Sequence, residues 1–128
     1  MAALTAALGL EWRRVNDITV GRWPIKVAYS RQGPPYVELV EAPAQSPWDV
    51  GGLLHLGYWA DDFANDVRAL DARGVPLHYD GSAFGFSLHH GPGFGVELID
   101  ASPRSRRGFE RALGFAPGET LGPSAPQP

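Results

Sequence analysis

Three residues of types that hold metals or move protons sit in short apolar stretches far apart in the chain. They are Glu38 in Val37-Glu38-Leu39-Val40, His55 in Leu53-Leu54-His55-Leu56, and Glu97 in Val96-Glu97-Leu98-Ile99. Side chains along a strand point to alternate faces. If each stretch is a strand, Glu38 shares a face with Tyr36 and Val40, opposite Val37 and Leu39. Glu97 and Ile99 lie opposite Val96 and Leu98. His55 lies with Leu53, Gly57 and Trp59, opposite Leu54, Leu56 and Tyr58. Helices covering the Val/Leu faces would leave two carboxylates and an imidazole on one concave surface. A carboxylate among apolar neighbours is costly to desolvate, so a divalent cation is a natural partner. On residue type alone another reading stays open. A single strand Glu commonly faces water, and a lone His among apolar residues is commonly a hydrogen-bonded core or surface residue.

The placement of the two glutamates is repeated, which favours the shared surface. Val37-Glu38-Leu39-Val40-Glu41-Ala42 recurs as Val96-Glu97-Leu98-Ile99-Asp100-Ala101, and the two glutamates lie 59 positions apart. Both copies follow a Gly/Pro turn, Gly33-Pro34-Pro35 and Gly91-Pro92-Gly93. A second echo pairs Ala6-Ala7-Leu8-Gly9-Leu10 with Asp71-Ala72-Arg73-Gly74-Val75, each with Gly where a left-handed helix cap is wanted.

The elements that must position these residues follow from the patterning. In the second half, 53–60 reads as a strand, and Asp61 or Asp62 offers an N-cap. Phe63, Val67 and Leu70 give a helix one apolar face, and strands follow near 75–79, 83–90 and 94–100. The first half reads as a helix over 2–8, then strands near 11–20, 24–31 and 36–42. That is the same order without its opening strand, and about ten residues would be missing in front. A helix is expected over 103–113, and a Pro-, Gly- and Ser-rich tail over 115–128 is expected to be disordered. One domain over 1–114 results, with modules at 1–50 and 51–102 and a C-terminal helix at 103–114.

Bulk properties exclude several classes. The chain has 128 residues, suiting one domain, and a net charge of -3 gives no reason to expect a nucleic-acid partner. Arg104, Arg106 and Arg107 read as an exposed helix face. There is no Cys, so disulfides, thiolate metal sites and Cys nucleophiles are out. No apolar run approaches the roughly 20 residues of a membrane helix. The apolar start lacks a basic leader, which makes a cytoplasmic protein the expectation. The glycines at 91, 93 and 95 lack the strand-to-helix setting of a phosphate loop, and no Ser sits in a nucleophile elbow.

The repeated strand-helix-strand-strand-strand order resembles the vicinal-oxygen-chelate superfamily, which holds glyoxalase I, methylmalonyl-CoA epimerase, extradiol dioxygenases and bleomycin-resistance proteins. The resemblance is carried by Leu53-Leu54-His55-Leu56-Gly57-Tyr58-Trp59-Ala60-Asp61-Asp62, similar to a module's opening strand, and by Gly95-Val96-Glu97-Leu98-Ile99-Asp100, similar to its closing strand. It covers about residues 1–101. It implies an α+β fold of paired βαβββ modules whose curved mixed sheet surrounds a cavity, here with the first strand of module one absent. It also implies Glu38, His55 and Glu97 as metal ligands, with the fourth ligand position falling on the absent strand.

Zn, Ni, Mn, Fe or Mg would suit such a donor set. The reaction implied is that of a glyoxalase-like lyase, isomerase or epimerase on a small metabolite with vicinal oxygens, with Glu38 or Glu97 moving the proton. Tyr36, Trp59, His78, His89 and His90 are the residues expected at the substrate pocket, although His89 and His90 must face opposite sides of a regular strand. Two alternatives accompany this. One is a non-catalytic, bleomycin-resistance-type binding protein. The other is an extradiol-type dioxygenase, against which Glu38 counts because that position is not a ligand there. Met1 falls where the first helix would already be under way, which raises a truncated start. The absent strand would expose a sheet edge beside the metal, so a homodimer is expected.

Overall fold

The computed structural model describes residues 1–33, 35–116 and 118–119. Helix α1 (Ala2–Leu8) leads into strands β1 (Asn16–Val20), β2 (Trp23–Tyr29) and β3 (Glu38–Glu41). These form an antiparallel sheet in the order β1-β2-β3. Strand β4 (His55–Ala60), helix α2 (Phe63–Ala72) and strands β5 (Leu77–Gly81), β6 (Phe86–His90) and β7 (Gly95–Asp100) follow. They form a mixed sheet in the order β4-β7-β6-β5, with β4 and β7 parallel. Helix α3 (Pro103–Ala112) ends the set.

The expected α+β architecture is present. α1 and the β1–β3 meander repeat α2 and the β5–β7 meander, and the described residues contain no module-one counterpart of β4. Helix ends follow the expected chemistry. Gly9 caps α1 at φ 67°, donating to Thr5 O, and the Asp62 carboxylate caps α2 by accepting from Asn65 N at 3.4 Å. The Ser102 hydroxyl caps α3 by accepting from Ser105 N.

Three expectations need correcting. The strand expected over 11–20 is regular only from Asn16. Its first part makes a single bridge, Trp12 to Ser30. It leaves the ladder because Arg13 turns inward over the Phe115 ring and pairs with Glu119, while Asn16 Nδ2 donates to Leu113 O at 3.0 Å. Secondly, Leu56 and Tyr58 are not covered by α2. That helix packs on β7, leaving these two side chains on edge strand β4 41% and 51% exposed. Thirdly, order does not stop at residue 114, because Phe115 is buried in the core and Glu119 holds Arg13. The disorder expected beyond 119 falls outside the described residues.

The core lies between the two sheets and under α3. Val20, Ile25, Val27 and Tyr29 meet Phe86 and Leu88 there, with Trp48 and Leu113 closing the sides. At a few kcal/mol for each buried large apolar side chain, this cluster supplies much of the driving force that holds the two modules together.

Candidate metal centre

The two sheets bring three distant side chains together. β3 starts at Glu38, β4 at His55, and Glu97 sits in the third position of β7. His55 Nε2 lies 3.4 Å from Glu38 Oε2 and 3.3 Å from Glu97 Oε2. One donor atom from each residue falls within 4.8 Å of the other two. The sequence thus identified all three correctly as neighbours, and the alternation that predicted a common surface holds for each. Glu97 is buried, and Glu38 and His55 are largely so.

Why the carboxylate of Glu97 can reach His55 is visible in the ladder. Gly57 is its direct partner across β4 and β7. A Cβ on residue 57 would stand 3.3 Å from Glu97 Oε2. Glycine therefore leaves the volume into which the carboxylate leans.

Electrostatics couple the three groups. Burial alone would lower the His55 pKa. The hydrogen bonds and charges of Glu38 and Glu97 outweigh that and raise it to about 10. Burial pushes the Glu97 carboxyl up, opposed by His55 and reinforced by the negative charge of Glu38. His55 Nδ1 is buried with no hydrogen-bond partner among the described residues.

The donor geometry suits a metal better than an ion pair. Charge-assisted N–H···O bonds run at about 2.7–2.9 Å, shorter than the 3.3 and 3.4 Å found here. Around an ion with bonds of about 2.1 Å, tetrahedral ligands stand about 3.4 Å apart. One imidazole and two carboxylates match zinc, nickel, manganese or iron. With three protein donors, coordination positions remain for a ligand.

The triad borders a cavity of about 220 Å³. Ile25 and Val27 of β2, Phe86 of β6, Trp48, Phe109 of α3 and Leu113 at the C-terminal cap of that helix line it. Tyr29 belongs beside them. It is the direct register partner of Glu38 and it is buried. Burial, with the charges of Glu38 and Glu97, holds that phenol protonated well above its usual range.

Sequence reasoning missed Tyr29, although the alternation Ile25-Val27-Tyr29 paired against the 38–41 strand would have placed it. It also missed the wall contributed by α3. Nothing local in 103–113 says where that helix docks.

The five residues expected at the pocket are dispersed. Tyr36 precedes β3 and is not among the residues lining the cavity, and its ring packs edge-on against Phe115 at 5.9 Å. Trp59 shares the His55 face but lies about 13 Å further along β4. The Arg106 guanidinium covers its ring at 4.1 Å. His89 lies on the helix side of the sheet, paired with Val96 and 1% exposed. Its Nε2 is 2.9 Å from Ser87 Oγ and its Nδ1 3.3 Å from Val75 O, so it is a satisfied core histidine. His78 and His90, with ring centroids 4.3 Å apart, border a second depression that His55 also reaches.

Comparison with known proteins agrees with this architecture. Residues 1–94 match the family model of the glyoxalase/bleomycin resistance protein/dioxygenase superfamily. The chain belongs to that superfamily, the vicinal-oxygen-chelate group. Glu38 and His55 lie inside the matched span, and Glu97 lies just beyond it. Among solved structures, the chain is similar to the trypanothione-dependent glyoxalase I of Leishmania major, at 18% identity and a TM-score of 0.38, over 85% of this chain and 78% of that one. No curated protein matches. No helix among the described residues is long and apolar enough to cross a membrane.

Proposed function

We propose that the protein is a metal-dependent, glyoxalase-like lyase, isomerase or epimerase. It acts on a small molecule with two adjacent oxygens, as a homodimer in the cytoplasm. The observation that carries this is the meeting of Glu38, His55 and Glu97, with one donor atom from each within 4.8 Å of the others, on the wall of a largely apolar cavity.

These three side chains would hold one divalent ion. When bound, such an ion acts as a Lewis acid and stabilises negative charge on a carbonyl oxygen. The protein supplies the rest. Glu97, with its carboxyl pKa pushed up by burial, is the proton acceptor for the carbon next to that carbonyl. Tyr29, buried as the register partner of Glu38, packs beside that carboxylate and limits its freedom. The apolar wall lowers the local polarity, which strengthens charge interactions inside.

A non-catalytic binding role is the second reading. It is favoured by the partial self-compensation of the triad, in which a protonated His55 offsets one of the two carboxylates without a metal. An extradiol dioxygenase fits less well, because Glu38 occupies a position that is not a ligand in those enzymes.

Deuterium exchange separates the readings. Metal-loaded protein is incubated in D2O with a panel of α-hydroxy ketones and α-hydroxy aldehydes, and exchange at the carbon beside the carbonyl is followed by NMR. Catalysed exchange that falls by about 100-fold or more in Glu97→Gln is expected. Exchange no faster than without protein, across the panel, would leave only the binding role.

A further inference from the structure

The cavity next to the triad has a one-sided chemical character. Its wall is formed by aliphatic and aromatic side chains from β1, β2, β6 and α3. Apart from Glu38, His55 and Glu97, the polar group on it is the indole of Trp48, the exposed Thr19 side chain lying on the opposite face of β1, and no Lys or Arg is among its described lining residues. Two buried or partly buried arginines are engaged elsewhere. Arg13 pairs with Glu119 over the Phe115 ring, and Arg106 covers Trp59. Away from the triad, a phosphate or carboxylate on a ligand would find no cation on this wall.

Size narrows the class further. A dry cavity of roughly 150 Å³ accepts benzene. The cavity here is about 220 Å³, which leaves room for one aromatic ring and a head of two or three heavy atoms reaching the triad. Trp48, Phe86 and Phe109 offer ring faces and edges for such a group.

We propose that the ligand of this site is a neutral, compact aryl compound, with its two adjacent oxygens directed at Glu38, His55 and Glu97 and its ring against the β2, β6 and α3 wall. This rests on the function proposed above for the oxygens, whereas the ring site stands on the wall alone.

The test has two arms. In the first, metal-free protein is titrated with acetophenone and with 4-acetylbenzoate by ligand-observed NMR. Saturable binding of acetophenone is expected, with 4-acetylbenzoate weaker by more than about tenfold. In the second, zinc- or nickel-loaded protein is titrated by calorimetry with acetohydroxamate and benzohydroxamate, two vicinal-oxygen chelators differing in the methyl or phenyl group. Benzohydroxamate should bind about tenfold to hundredfold tighter.

Absence of saturable acetophenone binding, or equal affinity for the two hydroxamates, would overturn the aryl site. If acetophenone binds while neither hydroxamate nor metal does, the aryl site stands and the metal-dependent function falls.

Discussion

Gly57 and Glu97 are register partners across β4 and β7, and the missing Cβ of Gly57 is what gives the Glu97 carboxylate its place beside His55. Both residues lie in regular strands, so the relationship can be perturbed without breaking the ladder. Gly57→Ala should lower metal affinity by about tenfold, as loss of support around a ligand commonly does, while leaving the fold intact. Calorimetric metal titration with far-UV circular dichroism checks this. An unchanged affinity would mean that the carboxylate has other room.

His55 and His89 look alike in sequence, each flanked by apolar or aromatic residues, but their settings differ. His89→Ala should leave metal affinity within about twofold and cost roughly 1–3 kcal/mol of stability, because Ser87 and the Val75 carbonyl lose a buried partner. Chemical denaturation and metal titration on the same variant separate the two effects. Loss of metal binding would show that His89 acts on the site after all.

The pH dependence of the metal-free protein follows from the triad. His55 has its pKa raised from 6.5 to about 10 by the two carboxylates, against burial. The stability it contributes is complete below about pH 6.5 and is lost as pH rises towards 10, by an amount of the order of a few kcal/mol. Glu97 is also raised, by burial, so it acts in the same direction from lower pH. Metal affinity should run the other way, rising with pH as His55 gives up its proton. Denaturation midpoints at pH 6 and 9, with and without zinc, should therefore move in opposite senses. Parallel movement would contradict the assigned charges.

How much of this was legible in the sequence depends on range. Strand alternation and the repeated Val-Glu-Leu segment sufficed to place Glu38, His55 and Glu97 on one surface, because each inference needed only a local period and one duplication. Tyr36, Trp59 and His89 went astray for local reasons that the pattern does not carry. One lies outside its strand, one is too far along it, and one faces the other side. The position of α3 and the inward turn of Arg13 are set by long-range packing on Phe115 and Leu113, which no local period encodes.

Leu113 reports on that long-range packing. It is 2% exposed and bridges α3 to the cavity wall. Leu113→Ala should cost about 2–5 kcal/mol and lower the melting temperature by roughly 10 °C or more. A thermal unfolding curve matching wild type would mean that α3 does not dock where it is described.

Exposed Leu56 and Tyr58 on edge strand β4, together with β3 paired on one side only, favour association of two chains. Native mass spectrometry at micromolar concentration should show a dimer that Tyr58→Glu weakens. A monomer throughout would remove the proposed homodimer.

Metal binding by the triad is tested most directly by native mass spectrometry and zinc or nickel titration of wild type, Glu38→Gln, His55→Ala and Glu97→Gln. One ion per chain in wild type, with affinity lower by about 100-fold or more in each variant, is the expected result. Affinities equal to wild type in the three variants, or no ion retained by wild type, would contradict the metal centre.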